Sequence, residues 1–135
     1  MVATIMDKAA IAGVGNTEFS KNSGVSELSL AVQAIKRACD DAGLHPSAID
    51  GMATFSMDES DEIEVARALG CGELTFYGRT HYGGGAATGA LLQAVLAVAT
   101  GSAETVAVYR ALNGRSGQRY SAGVSGNIIT CLLYT

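Results

Sequence analysis

The residues best placed to do chemistry are the run Thr80-His81-Tyr82-Gly83-Gly84-Gly85-Ala86. A long apolar stretch follows it, so the glycines sit where a helix begins. The first turn of a helix carries unpaired N–H groups and the positive end of the backbone dipole, and can hold negative charge. Glycine there lets a ligand or another backbone approach closely. His81 and Tyr82 have the functional groups to polarise a carbonyl or shuttle a proton, although no nearby carboxylate is spaced to orient the histidine. Three glycines can also simply let a helix pack tightly on a sheet. A buried helix rarely needs three flexible residues at its start, so Gly83, Gly84 and Gly85 are read as a substrate-binding segment. His81 and Tyr82 are the secondary, catalytic candidates.

Other constellations carry less. Gly13-Val14-Gly15 follows an apolar run as a dinucleotide loop would, but the fingerprint needs glycine where this chain has Glu18, whose charge would repel a pyrophosphate. A tight turn is the preferred reading, and a nucleotide domain is a third and weaker option. Cys39, Cys71 and Cys131 are odd in number, lack CxxC spacing and fit reduced thiols. Cys39 falls on the inner face of a helix, and Cys71 lies in a flexible Gly-Cys-Gly turn open to solvent. None has the histidine or cationic neighbour that a nucleophile needs, and a structural zinc site is not expected. The acidic run Asp58-Glu59-Ser60-Asp61-Glu62 lacks the spaced oxygen ligands of a metal loop and reads as helix capping.

The elements that must position these groups are legible from periodicity. Residues 9–15 form a short apolar run ending in glycine, the pattern of a buried first strand. Ser26 is an N-cap, with Leu28, Ala31, Val32, Ile35, Ala38, Cys39 and Ala42 at helical spacing and Gly43 as the stop. A turn at 45–50 leads to a strand at 51–55. A short helix at 61–69 turns Ile63, Ala66 and Leu69 inward, and a strand follows at 74–77. An apolar helix spans 86–100, and an apolar, β-branched strand at 104–109 has the composition of a central one. Alternating strands and helices specify a largely parallel α/β sheet. The helix at 86–100 is apolar nearly all round, as expected of one buried between layers.

Bulk composition narrows the function classes. The chain has 135 residues, 48% hydrophobic and 16% charged, which suits a folded core rather than disorder. So few charges imply that other protein covers much of the surface. A net charge of −4 leaves no basic footprint for nucleic acid. No stretch reaches the length of a membrane span and no secretory leader is evident, so a cytoplasmic protein is expected. Residues 113–135 turn polar and then stop in an apolar run, so the chain reads as one partial domain with an ordered core at 9–112 and a truncated end.

Three segments, in order, resemble the thiolase-like superfamily, in its lipid-transfer-protein branch related to the sterol-carrier-protein thiolases. They are Ile11-Ala12-Gly13-Val14-Gly15-Asn16-Thr17-Glu18-Phe19, the stretch from Ala42 to Gly51, and the run from Gly83 to Val108. Within the last, Ala87-Thr88-Gly89-Ala90-Leu91 and Gly101-Ser102-Ala103-Glu104 look like the family's nucleophile helix and its following turn. The resemblance implies a layered αβαβα fold, present here only as its N-terminal portion, with a buried central helix.

Thiolases place a cysteine at the start of that helix; here Gly84 stands at or within one residue of the position. Acyl-enzyme chemistry is therefore not expected. The resemblance instead points to the subgroup similar to retro-aldolases, or to acyltransferase-like lipid-transfer proteins, acting on acyl-CoA thioesters as substrates and without a covalently bound cofactor. It implies a homodimer in the full-length form and a small partner with an OB-fold and zinc ribbon. The fragment alone is expected to be inactive. The alternative it leaves open is a non-catalytic thiolase-like subunit that binds lipid or scaffolds a complex.

Overall fold

A computed structural model describes residues 5–55, 60–81 and 85–115. The elements run in the order α1 (Glu27–Ala42), β1 (Gly51–Phe55), α2 (Glu62–Leu69), β2 (Phe76–Thr80), α3 (Ala86–Thr100) and β3 (Val106–Tyr109), with one 3-10 turn at Pro46–Ala48. The strands form a parallel sheet in the order β2-β1-β3. The α/β class and the parallel sheet agree with the sequence reading.

Each helix ends as its sequence dictates. The Ser26 hydroxyl accepts from the Ser29 N–H at 3.2 Å, capping α1. Gly43, Gly70 and Gly101 close the three helices in the left-handed conformation that glycine adopts without steric cost.

One face of the sheet packs on α1 and α2. Ala31, Ile35 and Cys39 of α1 meet Val65, Ala66 and Leu69 of α2, with Ile49, Met52, Tyr109 and Ala111 beneath them. Met52 and Val65 are completely buried. The Thr54 hydroxyl is buried too, and donates to the Tyr109 carbonyl at 3.0 Å, so its burial leaves no donor unmet.

The other face carries α3, which buries Ala86, Ala90, Ala94 and Ala97. This stripe of small side chains seats the helix close on the sheet. Leu91, Leu92 and Leu96 are left 40–49% exposed. The expected all-round burial of this helix is thus met on one side only, because nothing within the described residues covers the other.

Asp50 ties the sheet together at its amino edge. Its carboxylate accepts from the Glu104 N–H at 2.8 Å and the Thr105 N–H at 2.8 Å, and its carbonyl accepts from the Thr75 N–H at 2.8 Å. One residue before β1 therefore fixes the entry of both neighbouring strands.

Several sequence expectations are corrected. Residues 9–15 form no strand. Gly13 and Gly15 lie directly against the backbone of α1, so close that a methyl at either would overlap the carbonyl oxygens of Ala38 or Ala34. The Val14 N–H donates to Asp41 Oδ2 at 2.9 Å and Arg37 donates to the Asn16 carbonyl. Ile11 and Val14 are 72% and 71% exposed, so these glycines serve close approach to a helix rather than a tight turn.

The strand expected at 74–77 runs at 76–80, and the one expected at 104–109 begins at 106. β1, not β3, is central among the described strands. Ala66 and Leu69 face inward as expected, but Ile63 is 51% exposed and Val65 takes the third inward position of α2. The Cys71 turn is half-buried against the core instead of open.

Candidate functional site

Strand register assembles the site. Phe55 pairs with Thr80 and Thr54 with Tyr109, so the carboxyl ends of β2, β1 and β3 finish side by side. Because successive residues of a strand alternate faces, Phe76, Gly78 and Thr80 share the α3 side while Tyr77 and Arg79 point away. A side chain at Gly89 would press on Thr80, and one at Gly78 would press on Gln93. The same alternation puts Gly51, Ala53 and Phe55 of β1 on the α3 side. Arg110 joins them, its guanidinium carbon 4.9 Å from the centroid of the Phe55 ring.

The connections between parallel strands make α3 run back against them, so its first turn lies at the carboxyl edge of the sheet. Open α/β sheets bind ligands at that edge. Gly85 is the N-cap of α3, exposed and in ordinary right-handed geometry, and makes no side-chain cap hydrogen bond. A Cβ built on Gly85 would meet nothing within 4 Å. Neither backbone conformation nor packing within the described residues requires glycine there, and among those residues the space beside the helix start is open. His81 directly follows β2 and is exposed. Tyr82, Gly83 and Gly84, the remaining sequence candidates, lie outside the described residues.

The polar groups around this edge divide into engaged and unengaged. Arg79 is engaged: it grips Glu62 with two hydrogen bonds of 3.0 and 3.1 Å and donates to the Ser60 carbonyl at 3.1 Å. Glu62 stands in the first turn of α2, as the capping reading expects, and its carboxylate also holds Arg79. Asp61 occupies the N-cap of α2 without a side-chain cap hydrogen bond. Thr80 Oγ1 and Gln93 Oε1, along the seam between β2 and α3, are buried with no hydrogen-bond partner among the described residues. Asn113 braces the chain beyond β3: its side chain donates to the Val25 carbonyl at 2.8 Å, accepts from Ser23, and its N–H donates to Glu27 Oε1.

The two thiols among the described residues, Cys39 and Cys71, lie elsewhere, in the α1–α2 core, and Cys131 lies outside the described residues. Burial pushes the Cys39 thiol above its ordinary value, and the neighbouring Asp40 charge adds to the shift. Burial and Cys39 do the same to Cys71, against a lowering backbone hydrogen bond. Both thiols are thereby held protonated, the reverse of what a nucleophile needs.

Among the described residues no group of three potential ligands could hold a metal ion, and no helix is long and apolar enough to cross a membrane. A shallow groove of about 350 Å³ lined by Phe76, Leu96 and Thr100 lies at the opposite end of α3 from the glycines.

Sequence reasoning missed Arg110 and Phe55. The available signal was a lone arginine directly after an apolar strand, whose partner is set by a register that no local pattern reveals.

The fold is shared with proteins of known structure. A monomeric SCP2-thiolase like protein type 1 from Mycobacterium smegmatis superposes with a TM-score of 0.59 at 24% identity, over 73% of this chain and 22% of that one. The fold is thiolase-like. An Ltp2-ChsH2(DUF35) aldolase structure matches at a TM-score of 0.77 and 62% identity, covering 80% of this chain and 28% of its own.

In sequence, the chain is 61% identical over 118 residues to a steroid side-chain-cleaving aldolase of Thermomonospora curvata, covering 87% of this chain and 30% of that protein. It is 58% identical over 113 residues to a 17-hydroxy-3-oxo-4-pregnene-20-carboxyl-CoA lyase of Mycobacterium tuberculosis, covering 84% and 29% respectively. No family profile matches. The chain thus spans under a third of the length of the curated relatives it matches.

Proposed function

We propose that this chain is the N-terminal portion of a thiolase-fold retro-aldolase that cleaves a carbon–carbon bond in the side chain of an acyl-CoA thioester. The observation that carries the reading is the start of α3: an apolar helix with open space at Gly85, glycine at 83–85 and no thiol at its beginning. A thiolysis enzyme needs a sulfur nucleophile there. A retro-aldolase needs room for a thioester and a source of positive potential, because cleavage leaves its electrons on the thioester as an enolate.

Similarity to a side-chain-cleaving aldolase and to a carboxyl-CoA lyase supports this choice over acyl transfer. Gly83, Gly84 and Gly85 take the thioester, with His81 and Tyr82 beside it. The exposed leucines of α3 are covered in the full-length protein by its remaining portion, which also supplies the general base. The full-length protein works as a homodimer in the cytoplasm. A partner with an OB-fold and zinc ribbon completes it, in keeping with the two-component name of the matching aldolase structure.

The test is turnover. The full-length protein with its partner is incubated with a β-hydroxyacyl-CoA whose hydroxyl carbon lies in a steroid ring, and the products are followed by mass spectrometry. A ring ketone and a shortened acyl-CoA are expected in equal amounts. Binding of the thioester without cleavage would leave the non-catalytic subunit in its place, and no binding at all would remove both readings.

A further inference from the structure

We propose that Arg110 is a catalytic residue of this reaction, donating hydrogen bonds to the thioester oxygen as it becomes the enolate; the inference rests on the retro-aldolase reading above. Three observations converge on it. Register pairs Thr80 with Phe55 at the carboxyl ends of β2 and β1, alternation puts both on the face that carries α3, and Arg110, the residue after β3, continues the row by resting on the Phe55 ring. Thr80 lies under Gly89, one turn into that helix, so the row runs beneath its first turn. That turn contains no acidic residue, so the positive end of the helix dipole is not neutralised there.

The two arginines at this edge are used differently. Arg79 is spent on Glu62 and the Ser60 carbonyl. Arg110 rests on the Phe55 ring, 4.9 Å from its centroid, and has no carboxylate within ion-pair distance among the described residues. An aromatic face attracts the cation but offers no lone pair, so the guanidinium is positioned while its N–H donors stay available. Asn113, anchored to Val25, Ser23 and Glu27, steadies the backbone that follows. A chain of net charge −4 has few cations to place, and this one stands where an anion would form.

The step balances without an oxidant or cofactor. A general base from the remainder of the protein takes the proton of the β-hydroxyl, whose O–H electron pair forms the new ketone. The bond between the α and β carbons breaks, and its pair becomes the double bond of the thioester enolate. Arg110 and the first turn of α3 hold the enolate oxygen. A proton then adds to the α carbon, releasing the shortened acyl-CoA.

The experiment uses the full-length protein with its partner and compares Arg110→Gln, Arg110→Lys and Phe55→Leu. Besides kcat and KM for cleavage, it follows deuterium uptake at the α carbon of the product acyl-CoA in D2O, which needs enolate formation but no bond cleavage. Loss of one oxyanion donor lowers turnover by about 100-fold. Arg110→Gln should therefore lose about that factor in both kcat and exchange with KM little changed, and Arg110→Lys should recover part of each. Phe55→Leu, which keeps Arg110 but removes its support, should lose about 2- to 5-fold in both.

Cleavage by wild-type protein with wild-type exchange in a folded Arg110→Gln variant overturns this inference alone. Should that variant fail to fold, unchanged exchange in both Phe55→Leu and Arg110→Lys overturns it. A wild-type protein that neither cleaves nor exchanges overturns the retro-aldolase reading with it.

Discussion

The two faces of the sheet are built from different materials. Toward α1 and α2 the buried cluster includes large side chains, with Ile35, Met52, Val65, Leu69 and Tyr109 packed among alanines. Toward α3 the buried residues are alanines, and the leucines of that helix point outward at 40–49% exposure. Burying an apolar side chain such as leucine contributes about 1.5–3 kcal/mol, so the first face has collected its hydrophobic stabilisation and the second has not. A helix with no charged residue along its length does not end its packing at one layer. Under the proposed function the finished face is scaffold, and the unfinished face, which also carries the start of α3, Thr80, Phe55 and Arg110, is where further protein and a ligand would meet.

The sharpest way to break this contrast is to truncate one residue from each face. Met52→Ala should cost about 2–5 kcal/mol in any context, read from urea denaturation of the full-length protein. Leu92→Ala should cost about 2–4 kcal/mol in the full-length protein but under about 0.5 kcal/mol in the isolated chain. Equal effects of Leu92→Ala in the two contexts would mean that α3 faces water in both. The isolated chain should also bind a hydrophobic dye and aggregate; a sharp two-state melt of a soluble monomer would count against the unfinished face.

Next in size are two changes on the scaffold side. Gly15→Ala drives a methyl into the backbone of α1 and should cost about 1–3 kcal/mol, with faster proteolysis of the N-terminal segment as the local readout. Asp50→Ala leaves the Glu104 and Thr105 N–H groups without their acceptor and should cost about 1–3 kcal/mol, with hydrogen exchange rising at the start of β3.

The smallest expected effect concerns the thiols. Both are raised above their ordinary value of 9.0 in the folded chain. On raising the pH the unfolded thiols therefore ionise first. The stability they contribute is complete below the unfolded value and declines as pH rises through it. A denaturation series from pH 7 to 10 should show the decline in wild type and a shallower one in Cys39→Ala.

Local signals and long-range ones divided cleanly. Ser26, Gly43, Gly70 and Gly101 were readable because caps act within a few residues of themselves. The strand at 51–55 was readable because its glycine and apolar run are contiguous. Residues 9–15 misled because an apolar stretch with two glycines is equally suited to a strand and to an extended segment laid on a helix. Ile63 misled because it lies in the first turn of α2, where helical spacing from Ala66 and Leu69 allows an inward residue but the packing takes Val65 instead. His81 and Gly85 were legible as neighbours of a helix start, whereas Phe55 and Arg110 are 55 positions apart and meet only through strand pairing.

By itself the sequence determined the α/β class, the helix boundaries, the absence of a thiol at the start of α3 and the apolar character of that helix. All of these follow from interactions between residues close along the chain. Only the tertiary structure decided which strand is central among the described residues, which face of α3 is covered there, and that Arg110 rests on the Phe55 ring. Sheet order and register are set by competition among distant segments for the same edges and the same buried area, and no window of the sequence contains both sides of that competition.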